Sequence, residues 1–331
     1  MTTTRVLVTG GAGFIGSHYV RTLLGPDGTP DVAVTVLDKL TYAGNPANLD
    51  EVRDAPGFAF VQGDICDAEL VGKLVSEHDE VVHFAAESHV DRSILGADAF
   101  VRTNVLGTQT LLDAALRHGL GTFVHISSDE VYGSIPEGSW PETDPLCPNS
   151  PYAASKAASD LIALAHHRTH GLDVRVTRCS NNYGHHQFPE KVIPLFVTRL
   201  LDGGNVPLYG DGLNVRDWVH IDDHVQGIEL VRRSGRPGEV YNIGGGNELS
   251  NRDLTGLLLA ECAADWDRVT YVEDRKGHDR RYSVDYAKIR DELGYQPRKE
   301  LHAGIAETVD WYRTHRTWWE PLRPTAAGAA P

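Results

Sequence analysis

The chain has 331 residues, 41% hydrophobic and 23% charged, and its 46 Asp+Glu against 31 Lys+Arg leave a formal charge of −15. That is the composition of a folded globular protein with room for one large α/β unit or two domains of roughly 100–200 residues each. The acidic excess argues against nucleic acid or an anionic membrane surface as partner, since both need basic patches, and no apolar run reaches the ~18–20 residues of a membrane span.

The start, Met1-Thr-Thr-Thr-Arg5, leads straight into an apolar strand pattern with no basic-then-apolar leader. The first 130 residues then alternate β-branched runs with amphipathic stretches: Arg5–Thr9, Ile15–Leu24, Ala33–Asp38, Phe58–Gln62, Glu80–Ala85, Ala99–His118 and Thr122–Ser127. This alternation predicts βαβ units on a parallel sheet covered on both faces. Asn149–His170 is predicted as a helix, capped by Asn149 or Ser150, with Pro151 in its first turn and Gly171 behind its last. Asp173–Cys179 is the next strand. Beyond Asn182 the glycines at 203–204, 210, 212, 235, 238 and 244–246 punctuate shorter elements, so a smaller lobe interleaved with the first is expected. The fold class is α/β, a Rossmann-type doubly wound parallel sheet with a C-terminal substrate-binding lobe. The Ala/Pro/Gly-rich stretch from Pro321 to Pro331 reads as a tail. Cys66, Cys147, Cys179 and Cys262 show no short spacing, and a reducing, cytoplasmic setting is expected.

Gly10, Gly13 and Gly16 follow the first strand and open the first helix. Glycines let the backbone approach a pyrophosphate, and a helix N-terminus offers it free N–H groups. A tight turn without a ligand is the plainer alternative. Asp38 ends the second strand 22 residues past Gly16, where a carboxylate accepts from both ribose hydroxyls and repels a 2′-phosphate, so NAD is favoured over NADP; the adjacent Lys39 is a counter-signal. Asp64, in Gly63-Asp64-Ile65, is a candidate for the adenine amino group or a surface loop residue.

Tyr152 and Lys156 are four apart in the predicted helix and share a face. A phenol near pKa 10 is a poor base at neutral pH, but a nearby ammonium and a nicotinamide cation favour the phenolate. With both motifs in place, the chain from Arg5 to about Pro321 resembles the extended short-chain dehydrogenase/reductase family. Asp129 and Glu130, in Ser128-Asp-Glu-Val-Tyr-Gly133, close the strand ending near Ser127. Adjacent carboxylates raise each other's pKa, so one can serve as acid and the other as base, which dehydration needs and simple carbinol oxidation does not.

These residues, with His83-Phe-Ala-Ala-Glu-Ser-His-Val-Asp-Arg-Ser93, Arg178-Cys-Ser-Asn-Asn-Tyr-Gly184, Phe188-Pro-Glu-Lys-Val-Ile-Pro194, Gly210-Asp-Gly-Leu-Asn-Val-Arg-Asp-Trp218 and Arg275-Lys-Gly-His-Asp279, resemble the dTDP-glucose 4,6-dehydratase subfamily. The resemblance implies an NAD-dependent lyase of deoxysugar biosynthesis: C4 is oxidised, water is eliminated across C5 and C6, and hydride returns to C6. It implies Asp129 as acid, Glu130 as base at C5, Tyr152 as base at the C4 hydroxyl, Lys156 as tuning and ribose-binding residue, and Ser128, in place of the usual threonine, on the C4 oxygen. On the cofactor side it implies Gly10, Gly13, Phe14, Ile15, Gly16, Asp38, Lys39, Thr41, Asp64, Ile65, Ala85, Ala86, Thr103 and Asn182 beside Tyr152 and Lys156. For the substrate it implies Ser88 and Asn181 at the sugar, Lys191, Arg216 and Asn251 on the diphosphate, Tyr209 at the thymine with Pro207 and Leu208 beside it, and Val192, Arg275 and His278 as further contacts. Residues 1–182, with returning segments near 215–242, are expected to hold the cofactor, 183–321 the nucleotide sugar, and 322–331 to form a flexible tail. A homodimer through a four-helix bundle of Val105–His118 and Tyr152–His170, with Ala153, Ala154, Ala157 and Ala158 at close approach, is also implied. His185 and Lys276 stand where the family often has proline.

A nucleotide-sugar 4-epimerase or decarboxylase of the same fold is the nearest rival, and Asp129-Glu130 discriminates against it. An inactive NAD-binding regulator would have lost the tyrosine or the carboxylates. The sixteen histidines, among them His166, His167, His170, His185 and His186, show no ligand spacing with Cys or carboxylates, so no metal is expected.

Overall fold

In a computed structural model of the chain, which describes residues 3–323 apart from 27 and 30, seven parallel strands form the central sheet. They are β1 (Thr4–Thr9), β2 (Val32–Asp38), β3 (Phe58–Gln62), β4 (Glu80–His83), β5 (Thr122–Ser128), β6 (Val174–Cys179) and, after the second lobe's first strands, β10 (Val240–Ile243). Their order is β10-β6-β5-β4-β1-β2-β3. Val6 and Val8 point into one core with the helices Phe14–Leu24 and Ile221–Ser234, while Leu7 points into the other with Ala68–Ser76, Thr108–His118 and Pro151–His170. A strand buried on both faces has no polar positions, which is why these runs are continuously apolar.

The sequence reading missed the helix Ala68–Ser76, although Asp67 caps it by accepting from the Glu69 and Leu70 amides. It also drew β4 two residues too long, and 101–107, within the expected helix Ala99–His118, winds as a π-helix ahead of Thr108. Ser150, not Asn149, caps the helix Pro151–His170, its Oγ accepting from the Ala153 amide at 3.1 Å, and Gly171 closes it at φ 73°. The expected tail lies outside the described residues from 324 onward.

The second lobe carries β7 (Asn181–Tyr183), β9 (Val215–His220) and β11 (Glu248–Ser250) in a three-stranded sheet, and β8 (Val206–Tyr209) paired with β12 (Val269–Val272). Its core is aromatic and helical, with Tyr183, Phe196, Trp218, Tyr312 and Trp319 packed against Leu254, Leu258, Ile305 and Val309. Strand order reverses between β1 and β4, so the crevice at their C-terminal ends, where doubly wound sheets hold ligands, faces this lobe.

Candidate active site

Gly10 sits at that crossing with φ 70°, and a Cβ there would lie 2.6 Å from the Ala85 amide nitrogen. The loops after β1 and β4 touch through this glycine. A Cβ on Gly16 would lie 2.3 Å from the Gly10 carbonyl oxygen, so the helix beginning at Phe14 can start hard against the turn only without a side chain. This is a backbone cradle that fits a pyrophosphate. Asp38 closes it from β2, buried, accepting from the Ala12 amide at 2.9 Å and the Leu40 amide at 2.8 Å. Two lone-pair directions remain for a ligand. Lys39, the counter-signal, pairs with Asp64 at 2.8 Å, and Asp64 also accepts from the Cys66 amide. Phe14 and Ile15 open the helix, Thr41 lies in the exposed loop after β2, Ile65 is buried beneath Gly107, Ala85 and Ala86 follow β4, and Thr103 lies in the π-helical stretch.

The buried face of Pro151–His170 brings Tyr152 and Lys156 to the C-terminal end of β5. Lys156 Nζ donates to the Ile126 carbonyl at 2.6 Å, and burial brings its pKa down to about 8. Burial, with Glu130 second, pushes the Tyr152 phenol well above its ordinary value, while a hydrogen bond to Ser128 pulls the other way.

At the end of β5 the Ser128 hydroxyl caps a 3₁₀ turn by accepting from the Glu130 amide at 3.2 Å. Gly133 ends that turn at φ 81°, where a Cβ would strike the Cys147 carbonyl at 2.3 Å. The turn thus separates two adjacent carboxylates into different surroundings. Asp129 is buried with one oxygen unpartnered, and burial, Glu130 and Asp217 drive its pKa far up. Burial raises Glu130 too, but Lys191, Arg216 and Arg275 all oppose it. One carboxyl is therefore kept as an acid beside one that three cations favour as an anion.

Those three cations come from separate elements of the second lobe. Lys191, at the N-terminus of Val192–Leu201, donates to the Ser88 carbonyl at 2.6 Å. Arg216, on β9, lies 4.2 Å over the Tyr282 ring and donates to the Asp279 carbonyl at 2.9 Å. Arg275 holds Asp91 in a two-pronged pair at 2.6 and 2.9 Å and lies 5.3 Å over the Tyr209 ring. His278 meets the same ring edge-on at 6.3 Å. Pro207 is two residues from Tyr209 on β8 and shares its face. Asn181 and Asn182 lie on β7, each with a buried carbonyl oxygen that has no partner. Asn251 opens its helix, its amide donating to the Asn214 carbonyl at 2.9 Å.

Several residues that organise this site carried no role in the sequence reading. Asp279 accepts from Asn149 at 2.5 Å and from the Tyr282 hydroxyl at 2.6 Å while its carbonyl holds Arg216, so one residue ties the start of the helix Pro151–His170 to the cation cluster. Asp217 accepts from Ser180 and from the Gly245 and Asn247 amides and adds its charge against Asp129. Asn104 clamps the backbone of Glu87 to Ser155. Nothing in the sequence marks such hubs, because all their partners but Tyr282 lie 17 to 130 residues away. The fold also gives His185 a carboxylate neighbour that sequence spacing did not suggest: His18, His185 and Asp222 converge. Arg21 lies 3.2 Å from His18 Nδ1 and can only donate, so His18 Nε2 carries the proton that Asp222 receives at 2.9 Å. That group is a hydrogen-bond chain ending on a guanidinium, a poor setting for a cation.

A family model described as GDP-mannose 4,6 dehydratase matches residues 7–308. The chain belongs to this family. It is 68% identical over 330 residues to a dTDP-glucose 4,6-dehydratase of Streptomyces antibioticus, covering 98% of this chain and 97% of that protein. The DesIV dTDP-glucose 4,6-dehydratase of Streptomyces venezuelae, solved with NAD bound, superposes with a TM-score of 0.95 at 63% identity, covering 97% and 100% of the two chains. A UDP-glucose 4-epimerase of Thermotoga maritima shares the fold at TM-score 0.86 and 33% identity over 95% of this chain and 100% of its own. The fold alone therefore does not choose between dehydration and epimerisation.

Proposed function

We propose that this chain converts dTDP-glucose to dTDP-4-keto-6-deoxyglucose and water with NAD as a cofactor that is regenerated in each cycle, a step of deoxysugar biosynthesis. The unequal pair Asp129 and Glu130 carries this reading, since an epimerase has no use for a buried acid beside a base. Bound NAD supplies the acceptor for the C4 hydride and gives it back at C6. The Tyr152 oxygen takes the C4 hydroxyl proton, with the Ser128 hydroxyl on the C4 oxygen. Glu130 takes the C5 proton, which the C4 ketone has acidified. Asp129 delivers its proton to the C6 hydroxyl, which leaves as water, and Glu130 returns its proton to C5 as C6 is reduced. The proton gained at Tyr152 balances the one lost from Asp129, so the sum is loss of water.

Lys191, Arg216, Arg275 and Asn251 are assigned to the diphosphate, Tyr209 with His278 to the base, and Ser88 and Asn181 to the sugar. The preference for NAD rests on Asp38, with Lys39 engaged by Asp64. Residues 1–182 with segments near 215–242 serve the cofactor and 183–321 the nucleotide sugar. Incubation with dTDP-glucose should yield the alkali-induced absorbance of a 4-keto-6-deoxy sugar. Conversion of only UDP- or GDP-sugars would refute the assignment.

A homodimer through the helices Thr108–His118 and Pro151–His170 is a second proposal. Leu106, Leu161 and Val101 are 51%, 56% and 55% exposed, which is costly for a surface without a partner. With Ala154, Ala158 and Ala165, Leu161 forms a stripe at helical spacing, whereas Ala153 and Ala157 face the protomer's own core. No described helix is long and apolar enough to cross a membrane, and all four cysteines are free; a reducing cytoplasm suits both.

A further inference from the structure

Tyr152 and Lys156 are followed one turn later by a third buried residue on the same helical face, Asp160, which the reaction as described does not use. Its Oδ2 accepts from Arg178 Nε at 2.9 Å, and Arg178 Nη1 donates onward to the Tyr132 hydroxyl at 2.7 Å. Its Oδ1 lies 3.3 Å from His125 Nε2 but has no hydrogen-bond partner, because that ring nitrogen bonds Ser159. Half of a fully buried carboxylate is thus left to act through space. We propose that Asp160 is a positioning residue for the dehydration: from one turn below, it keeps the Lys156 ammonium charged in the dry floor of the site, and Arg178 meters how much of that charge Lys156 feels.

Apart from the Ile126 carbonyl that accepts from Lys156 Nζ at 2.6 Å, the groups facing Lys156 leave Asp160 as the source of this effect. On β4 and β5 His83 and His125 are neutral, pushed down by burial and then by neighbouring positive groups, Lys156 among them. On β6 burial raises the Cys179 thiol to about 12, so it carries no charge at neutral pH. Against burial, Arg178 keeps Asp160 ionised, with a pKa of about 2. Asp160 is then the anion that opposes the burial bringing Lys156 to about 8. A neutral amine would neither hold a ribose hydroxyl as a donor pair nor favour the Tyr152 phenolate.

This inference rests on the proposed reaction, and its test is the pH dependence of kcat, read also on NAD reduction alone. Asp160→Asn removes the compensating anion, so Lys156 loses its proton at lower pH. The alkaline limb should move down by about one unit, with activity above it falling roughly tenfold and returning at lower pH. Asp160→Glu should restore the limb. Arg178→Gln releases the carboxylate from its guanidinium and should move the same limb upward; it also carries the test if Asp160→Asn does not fold. A purely structural ion pair lowers activity at every pH in both variants. Limbs that stay in place, or move in the same direction, would overturn the proposal, whereas a wild-type protein inactive on dTDP-glucose would overturn the assigned reaction instead.

Discussion

Replacing Glu130 with glutamine removes a base while changing little else in the turn. The backbone amide stays on the Ser128 hydroxyl, and the side chain keeps its length and its 3.5 Å approach to the Tyr282 hydroxyl. Lys191, Arg216 and Arg275 lose an anion that competes with a diphosphate for them, so KM should stay level or fall. A positioned general base contributes about 10²–10⁴-fold, or roughly 3–5.5 kcal/mol of barrier, and kcat should drop by that factor. Because C4 oxidation needs Tyr152 and not Glu130, the variant should still reduce NAD and then stall. A single-turnover absorbance trace should show NADH rising and persisting, and mass spectrometry after incubation in D₂O should find no deuterium at C5 of the trapped ketone. Turnover within tenfold of wild type, or no NADH at all, would refute the division of labour between the two carboxylates.

Asp129→Asn keeps the size of a side chain whose burial disfavours its charge but removes the proton it would donate, so it should slow water loss more than hydride transfer in single-turnover measurements; equal slowing of both counts against the acid role. Gly16→Ala sets a methyl 2.3 Å from the Gly10 carbonyl and should weaken NAD binding at least tenfold by calorimetry, with sugar binding less affected. Asp279→Asn loosens charge-assisted bonds worth about 1.5–3 kcal/mol each and should raise KM for the nucleotide sugar tenfold or more while changing kcat less. Leu161→Arg places charge in an exposed apolar stripe and should shift sedimentation to the monomer if two copies pack there; an unchanged species argues for another interface.

The alternation of apolar strands and amphipathic helices was legible through β6 because parallel strands buried on both faces carry their burial in local composition. The helix Ala68–Ser76 escaped notice behind a polar cap, and the second lobe was visible only as glycine punctuation, since its core joins aromatic residues more than 130 positions apart, from Tyr183 to Trp319. The grouping of the candidate site residues was legible for a related reason: each part lies within one strand end or one helical turn, Ser128 to Glu130 and Tyr152 to Lys156, where spacing alone sets geometry.

Charge shows the division most clearly. The residues alone established an acidic protein with two adjacent carboxylates, a tyrosine and lysine on one helical face, and a glycine turn behind a strand. What makes the two carboxylates unequal was decided by the tertiary structure, which buries Asp129 with the charge of Asp217 against it and sets the charges of Lys191, Arg216 and Arg275, from three distant segments, against the burial of Glu130. A pKa depends on solvent exclusion and on charges across space, and neither is encoded at any one position in the chain.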